Sequence, residues 1–197
     1  MARGAGPWIF GYGSLMWDPG FPYLAREPAL LRGYHRALCI YSWQYRGTPE
    51  RPGLVLGLDR GGSCRGIAYR IAAAEAARVF AYLKEREMTS YPSTVYESRL
   101  VPVELARGRR VRAHTYLADH RHPQYAGKLP LERVAELVCQ GHGERGPCAD
   151  YLFNTVRHLD ELGIKDGPLH ELLRHVERVR RQMPEVSAIR SRAGSGR

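Results

Sequence analysis

Trp8-Ile9-Phe10-Gly11-Tyr12-Gly13-Ser14-Leu15-Met16-Trp17 runs three apolar residues straight into Gly-Tyr-Gly-Ser. That is the pattern of a buried strand breaking into a tight loop. Glycine permits positive φ and lets the backbone approach a ligand closely. Successive N–H groups in such a loop can converge into a small anion-binding nest, and Ser14 adds a hydroxyl that donates or accepts. An ordinary strand-end turn has the same local look. What separates the two readings is a carboxylate much further along the chain.

Outward from this stretch, residues 1–7 are expected as a loose leader without the apolar core of a signal peptide. Asp18-Pro19-Gly20 and Phe21-Pro22 force an irregular loop. Residues 37–41 and 54–58 are short apolar runs bounded by Gly and Pro signals and read as strands. The loop between them, residues 45–53, holds Pro49, Pro52, Gly47 and Gly53. Asp59-Arg60-Gly61-Gly62-Ser63 reads as a hairpin turn into a further strand at 66–71.

From Ala72 to about Glu87 the composition turns helical, rich in Ala, Glu and Arg. Ala76, Phe80 and Leu83 form one apolar stripe at i, i+4 and i+7. The next position on that stripe is Glu87. Burial disfavours the ionised carboxylate, and so does the negative end of a helix dipole. A glutamate so placed can act as a general base near neutral pH. A boundary residue paired with Arg86, Arg99 or water has the same sequence signature.

Strands resume at 97–105 and 111–117, joined by a turn at Arg107-Gly108-Arg109. Three helices follow. Leu131, Val134, Ala135 and Val138 mark the first; the second opens after Pro147 and closes at Gly163; Leu169, Leu172, Leu173, Val176 and Val179 mark the third. Residues 183–197 are expected as a disordered basic tail. Gly141-His142-Gly143-Glu144-Arg145-Gly146 matches G-x-G-x-x-G, with Asp166 further on, but a dinucleotide fingerprint must follow a strand. This one follows helical periodicity and reads as an interhelical turn. Strands first and helices later give an α+β fold, the strands curling into a barrel or strongly twisted sheet and the last third helical. Residues 8–182 are read as one domain.

At 197 residues, 44% hydrophobic and 25% charged, the composition is that of a soluble globular protein. No apolar run is long enough to cross a membrane, and the cytoplasm is the default location. Cys39, Cys64, Cys139 and Cys148 form no C-x-x-C pair, so no disulfide framework is expected there. Cys139-Gln140-Gly141-His142 and His120-Arg121-His122 give no four-ligand metal spacing. The formal charge of +10 is dispersed and carries no nucleic-acid motif. It reads as solubility plus a mildly attractive field for a small acidic substrate.

Taken together, Phe10-Gly11-Tyr12-Gly13-Ser14-Leu15, Gly33-Tyr34-His35-Arg36, Arg46-Gly47-Thr48-Pro49-Glu50-Arg51-Pro52-Gly53, Tyr82-Leu83-Lys84-Glu85-Arg86-Glu87-Met88 and Tyr151-Leu152-Phe153 resemble the ChaC-like family of γ-glutamylcyclotransferases. The resemblance spans about residues 8–180. It implies a mixed β-barrel with flanking helices. It also implies cleavage of glutathione into 5-oxoproline and cysteinylglycine without metal or organic cofactor. In the family's terms Phe10, Gly11, Tyr12, Gly13, Ser14 and Leu15 hold the γ-glutamyl group, and Glu87 is the acid/base. Ser42-Trp43-Gln44-Tyr45 and Cys148 depart from the family pattern. Two alternatives stay open: a cyclotransferase for other γ-glutamyl amines or dipeptides, and a non-catalytic basic binding module.

Overall fold

The computed structural model describes residues 6–87 and 94–182. The expected tail at 183–197, Met88 and most of the expected leader lie outside those residues. β1 (Trp8–Gly11) is buried at every residue, as an apolar run between Pro7 and a glycine loop should be. It pairs antiparallel with β3 (Gly53–Arg70), from Trp8 opposite Arg70 to Gly11 opposite Ile67. It also pairs in parallel with β5 (Arg110–Ala118) at Trp8–Ala113 and Ile9–His114. β2 (Ala25–Ser42) runs against β3 over its whole length and meets β4 (Tyr96–Leu105) at residues 29–31. With β4 antiparallel to β5, the order β1-β3-β2-β4-β5 closes on itself, and a closed barrel leaves no strand edge exposed. Ile9, Phe10, Leu31, Leu58 and Tyr69 are among its buried strand residues.

Residues 59–63 are not the expected hairpin turn. β3 runs through them, so the runs at 54–58 and 66–71 are one strand. Gly61 (φ 92°) and Gly62 (φ 66°) form a bulge: Arg32 faces Ser63 but Tyr34 faces Arg60, one extra residue on β3. The left-handed backbone that makes Gly-Gly a turn signal serves equally in a bulge. The difference comes from β2, which extends back to Ala25 and so offers a partner to both runs. A second register shift between Leu38 and Ile40 frees the end of β2 to dock a later segment. Cys39 O accepts from Ala126 N at 2.8 Å, and Tyr41 N donates to Gln124 O at 2.8 Å.

A 3₁₀ turn (Ala73–Glu75) leads into α1 (Ala76–Glu87). Its buried stripe is centred one residue from the expected one. Val79 and Leu83 are each 1% exposed, whereas Ala76 and Phe80 flank them, Phe80 lying edge-on to His114. Burying each of the two anchors contributes about 1.5–3 kcal/mol. Glu87 remains one turn beyond Leu83, at the last residue of the helix. α2 (Leu131–Gln140), α3 (Cys148–Glu161) and α4 (Gly167–Gln182) pack on one another, and α2 and α3 pack on β3. The Gly141–Gly146 run holds the first three of the four residues of a two-rung hairpin, β6 (His142–Gly143) and β7 (Gly146–Pro147), set between helices rather than after a barrel strand. Among the described residues no helix is long and apolar enough to cross a membrane.

Arg36 is a charge inside this core, its side chain 1% exposed. Nε donates to Tyr12 O. Nη2 donates to Arg65 O at 2.7 Å, and Nη1 pairs with Asp166 Oδ2 at 2.7 Å. Asp166 Oδ1 also accepts from Leu169 N at 3.3 Å, capping α4. One side chain thus joins the exit of β1, the middle of β3 and the start of α4. Arg36→Leu takes the guanidinium donors away from Asp166 Oδ2 and from the Tyr12 and Arg65 carbonyls, and should lower the unfolding free energy by about 3–5 kcal/mol. The measurement is the urea midpoint, expected to fall with an unchanged slope.

Candidate functional site

Beyond Gly11 the chain passes through Tyr12 and Gly13 into a 3₁₀ turn, Ser14–Met16. Positive φ is not what calls for glycine here: Gly13 has φ −124°. Close approach is, because a Cβ on Gly11 would lie 2.9 Å from that of Leu15. The loop's carbonyls are held from behind. Arg36 binds Tyr12 O, while Met16 O accepts from Tyr69 Oη at 2.9 Å and from Arg26 Nη2 at 3.3 Å. A trans peptide sets N–H opposite to C=O, so the Gly13 N–H is directed away from Arg36. The turn's own ladder begins with Met16 N donating to Gly13 O at 2.9 Å. The amides of Gly13, Ser14 and Leu15 therefore stand ahead of it.

Arg86, in the last turn of α1, ties this loop to the helix end. Its Nη2 donates to Ser14 Oγ at 3.0 Å and its Nη1 to Tyr82 Oη at 2.7 Å. Its Nε lies 3.3 Å from Glu87 Oε1. The Glu87 side chain is 22% exposed. Burial pushes its carboxyl above the ordinary value of 4.5, and the Arg86 charge only partly opposes the shift. A carboxyl raised by burial, close to a glycine loop with free amides, can exchange protons with a bound molecule.

Both features open onto one cleft of about 1160 Å³, somewhat above the usual range for small-molecule sites. Ser14, Arg86 and Glu87 form one side. The loop after β2, Arg145 of the β6–β7 hairpin, and Tyr151 and Thr155 of α3 line the same cleft. Tyr96 and Tyr151 clamp the Leu56 peptide: Tyr96 Oη donates to Leu56 O at 2.7 Å, and Leu56 N donates to Tyr151 Oη at 3.3 Å. Burial above all, with nearby phenols and the Glu87 charge, pushes the phenols of Tyr12 and Tyr96 well above their usual range. They remain protonated donors.

The residues expected to form the site divide into two layers. Ser14 and Glu87 border the cleft, and Gly13 is half-buried between them. Phe10, Gly11, Tyr12 and Leu15 are buried behind, where they fix the loop's position. Sequence reading did not assign site positions to Arg86, Tyr96, Gln124, Arg145, Tyr151 or Thr155. The spacing of Tyr151 and Thr155, i and i+4 on α3, was the available signal that they share a face.

The ChaC-like protein family model matches residues 7–179. The glutathione-specific gamma-glutamylcyclotransferase of Escherichia coli (strain K12) is 36% identical over 172 residues, covering 87% of this chain and 73% of that one. Gamma-glutamylcyclotransferase 2-3 of Arabidopsis thaliana is 32% identical over 185 residues, 91% of this chain and 92% of its own. A crystal structure of a yeast gamma-glutamyl cyclotransferase specific to glutathione superposes with a TM-score of 0.80 over 92% of this chain and 100% of that one. Its identity to this chain is 23%, so that likeness is one of fold.

The raised carboxyl of Glu87 has a consequence for stability. A carboxyl whose folded pKa exceeds its unfolded one favours folding below the unfolded value, and that contribution is lost as pH rises through the folded value. Glu87→Gln should therefore be more stable than the parent at neutral pH, the difference vanishing below the ordinary value of 4.5. Thermal midpoints of both proteins across that range are the check; a difference independent of pH contradicts it.

Proposed function

Because the chain belongs to the ChaC-like protein family, we propose that it is a γ-glutamylcyclotransferase, converting the γ-glutamyl group of glutathione into 5-oxoproline and releasing cysteinylglycine. The observation that carries this reading is the Arg86 guanidinium. By holding both Ser14 and Glu87 it turns the glycine loop and a partly buried carboxylate onto the same cleft.

The substrate already contains its nucleophile. Its α-amine can reach the γ-carbonyl carbon by closing a five-membered ring, and such intramolecular attack has effective molarities of ~10⁵ M or more. The protein must orient the chain and move protons. Glu87 takes a proton from the α-ammonium, and the freed amine forms the new C–N bond. As the tetrahedral intermediate collapses, the old amide C–N bond breaks and Glu87 returns the proton to the departing nitrogen. Overall, two of the three α-ammonium protons pass to the leaving group, which departs as an ammonium. Backbone N–H groups between Tyr12 and Leu15 hold substrate oxygens, the developing oxyanion among them. Nucleophile and electrophile both lie within the substrate, so this route calls on no metal or organic cofactor.

Purified protein incubated with glutathione should release 5-oxoproline. Glu87→Gln should keep the circular-dichroism spectrum and lose about 10²–10⁴-fold in kcat. The acid limb of kcat/KM should fall above 4.5, the ordinary value for the group. A Gln variant turning over at the parent rate rules Glu87 out as the proton carrier.

A further inference from the structure

Two side chains on the cleft are buried with a polar atom left unpartnered. Gln124 is 5% exposed and Thr155 1%. Gln124 Nε2 donates to Tyr41 O at 2.9 Å, whereas Gln124 Oε1 and Thr155 Oγ1 have no partner. A carbonyl only accepts, so the nitrogen of the Gln124 amide must face Tyr41, which leaves its oxygen as a fixed acceptor. A threonine inside a helix commonly returns its hydroxyl to the carbonyl one turn back; Thr155 does not. Buried polar groups are nearly always satisfied, and leaving one unmet is destabilising. Two on one cleft wall point to a ligand that meets them.

The same wall carries cations. The Arg46 guanidinium lies 5.3 Å from the centre of the Tyr151 ring, one turn before Thr155, and its Nη1 donates to Arg145 O. The Arg145 guanidinium lies 4.3 Å from the centre of the Tyr45 ring, and its amide donates to Tyr45 O at 3.0 Å. Among the described residues neither arginine is paired with a carboxylate. Both border the cleft. The aromatic contacts fix the guanidinium groups without neutralising them.

We propose that this wall is the leaving-group subsite, built for a dipeptide that ends in a free carboxylate. The acceptor Gln124 Oε1 takes a peptide N–H of the departing half, and Thr155 Oγ1 takes a second polar atom of it. Arg145, with Arg46 beside it, takes the terminal carboxylate. The assignment rests on the cyclotransferase reading and narrows it: γ-glutamyl peptides with a C-terminal carboxylate are selected over γ-glutamyl amines that lack one.

The test compares glutathione with its glycine monoethyl ester, which differs at the carboxylate. The parent protein should favour glutathione over the ester by about ten- to a hundredfold in kcat/KM, the range for a charge-assisted hydrogen bond. Arg145→Gln should lower kcat/KM for glutathione by a similar factor and leave the ester within about twofold. Thr155→Val should raise KM for glutathione while its thermal midpoint matches or exceeds the parent's. Equal use of glutathione and ester, or an Arg145→Gln loss shared by both, overturns the subsite. Calorimetric binding of glutathione and of the ester to Glu87→Gln reads the same preference without turnover. If no donor is cyclised the cyclotransferase reading fails, and the affinity ratio alone then decides the carboxylate site. Equal affinities, or no binding of either molecule, overturn it.

Discussion

Arg36 carries a full charge into a region without water, and such a charge is tolerated only when its N–H groups find acceptors. The acceptors it finds belong to three parts of the chain that sequence keeps far apart: Tyr12 at the end of β1, Arg65 in β3 and Asp166 before α4. Since the Tyr12 carbonyl is one of them, the orientation of the next peptide plane follows from the position of a buried side chain. Met16 O, held by Tyr69 and Arg26, fixes the far end of the same loop. A loop so restrained at both ends presents its amides without reorganising, and preorganised dipoles stabilise developing charge without further rearrangement.

A second arginine sets the chemistry rather than the frame. Arg86 is bonded at once to Ser14, Tyr82 and Glu87, so its charge is shared among several groups instead of being spent on one carboxylate. That explains why burial outweighs it at Glu87 and leaves the carboxyl shifted upward. A tight, exclusive pair would have opposed that upward shift more strongly. The position of Glu87 at the end of α1 adds to the same tendency, because the helix terminus disfavours negative charge.

Local signals made most of the elements legible. The apolar run of β1, the helical period of α1 and the Pro and Gly punctuation of α3 all report on neighbours in sequence, and Glu87 was found by continuing such a period. The residues alone left a barrel and a strongly twisted sheet open, and the resemblance decided for the barrel: closure depends on the parallel pairing of Trp8 with Ala113, for which no local pattern exists. Gly61-Gly62 misled because its conformational freedom suits a turn and a bulge alike. Arg36 went unread as a core residue although the alternation that buries Leu38 places it on the same face; arginine in a strand is ordinarily taken as solvated. Gln124 gave no sign at all, and Thr155 only its helical spacing from Tyr151. Their meaning lies in a hydrogen bond they lack, which only the assembled cleft reveals.

The excess of positive charge takes on a different sense once its members are located. Some arginines pair on the surface, as Arg78 does with Glu75 and Arg133 with Glu136. Arg36 is internal, Arg86 holds the loop, and Arg46 and Arg145 border the cleft. Arg46 and Arg145, which among the described residues pair with no carboxylate, line the same cleft as Glu87. A molecule ending in a carboxylate is attracted to such guanidinium groups, and in a partly desolvated cleft that attraction is stronger than in water. In the cyclotransferase reading the groups assigned to the γ-glutamyl end serve any γ-glutamyl donor equally, so discrimination between donors falls to the cleft residues of the loop after β2, the β6–β7 hairpin and α3.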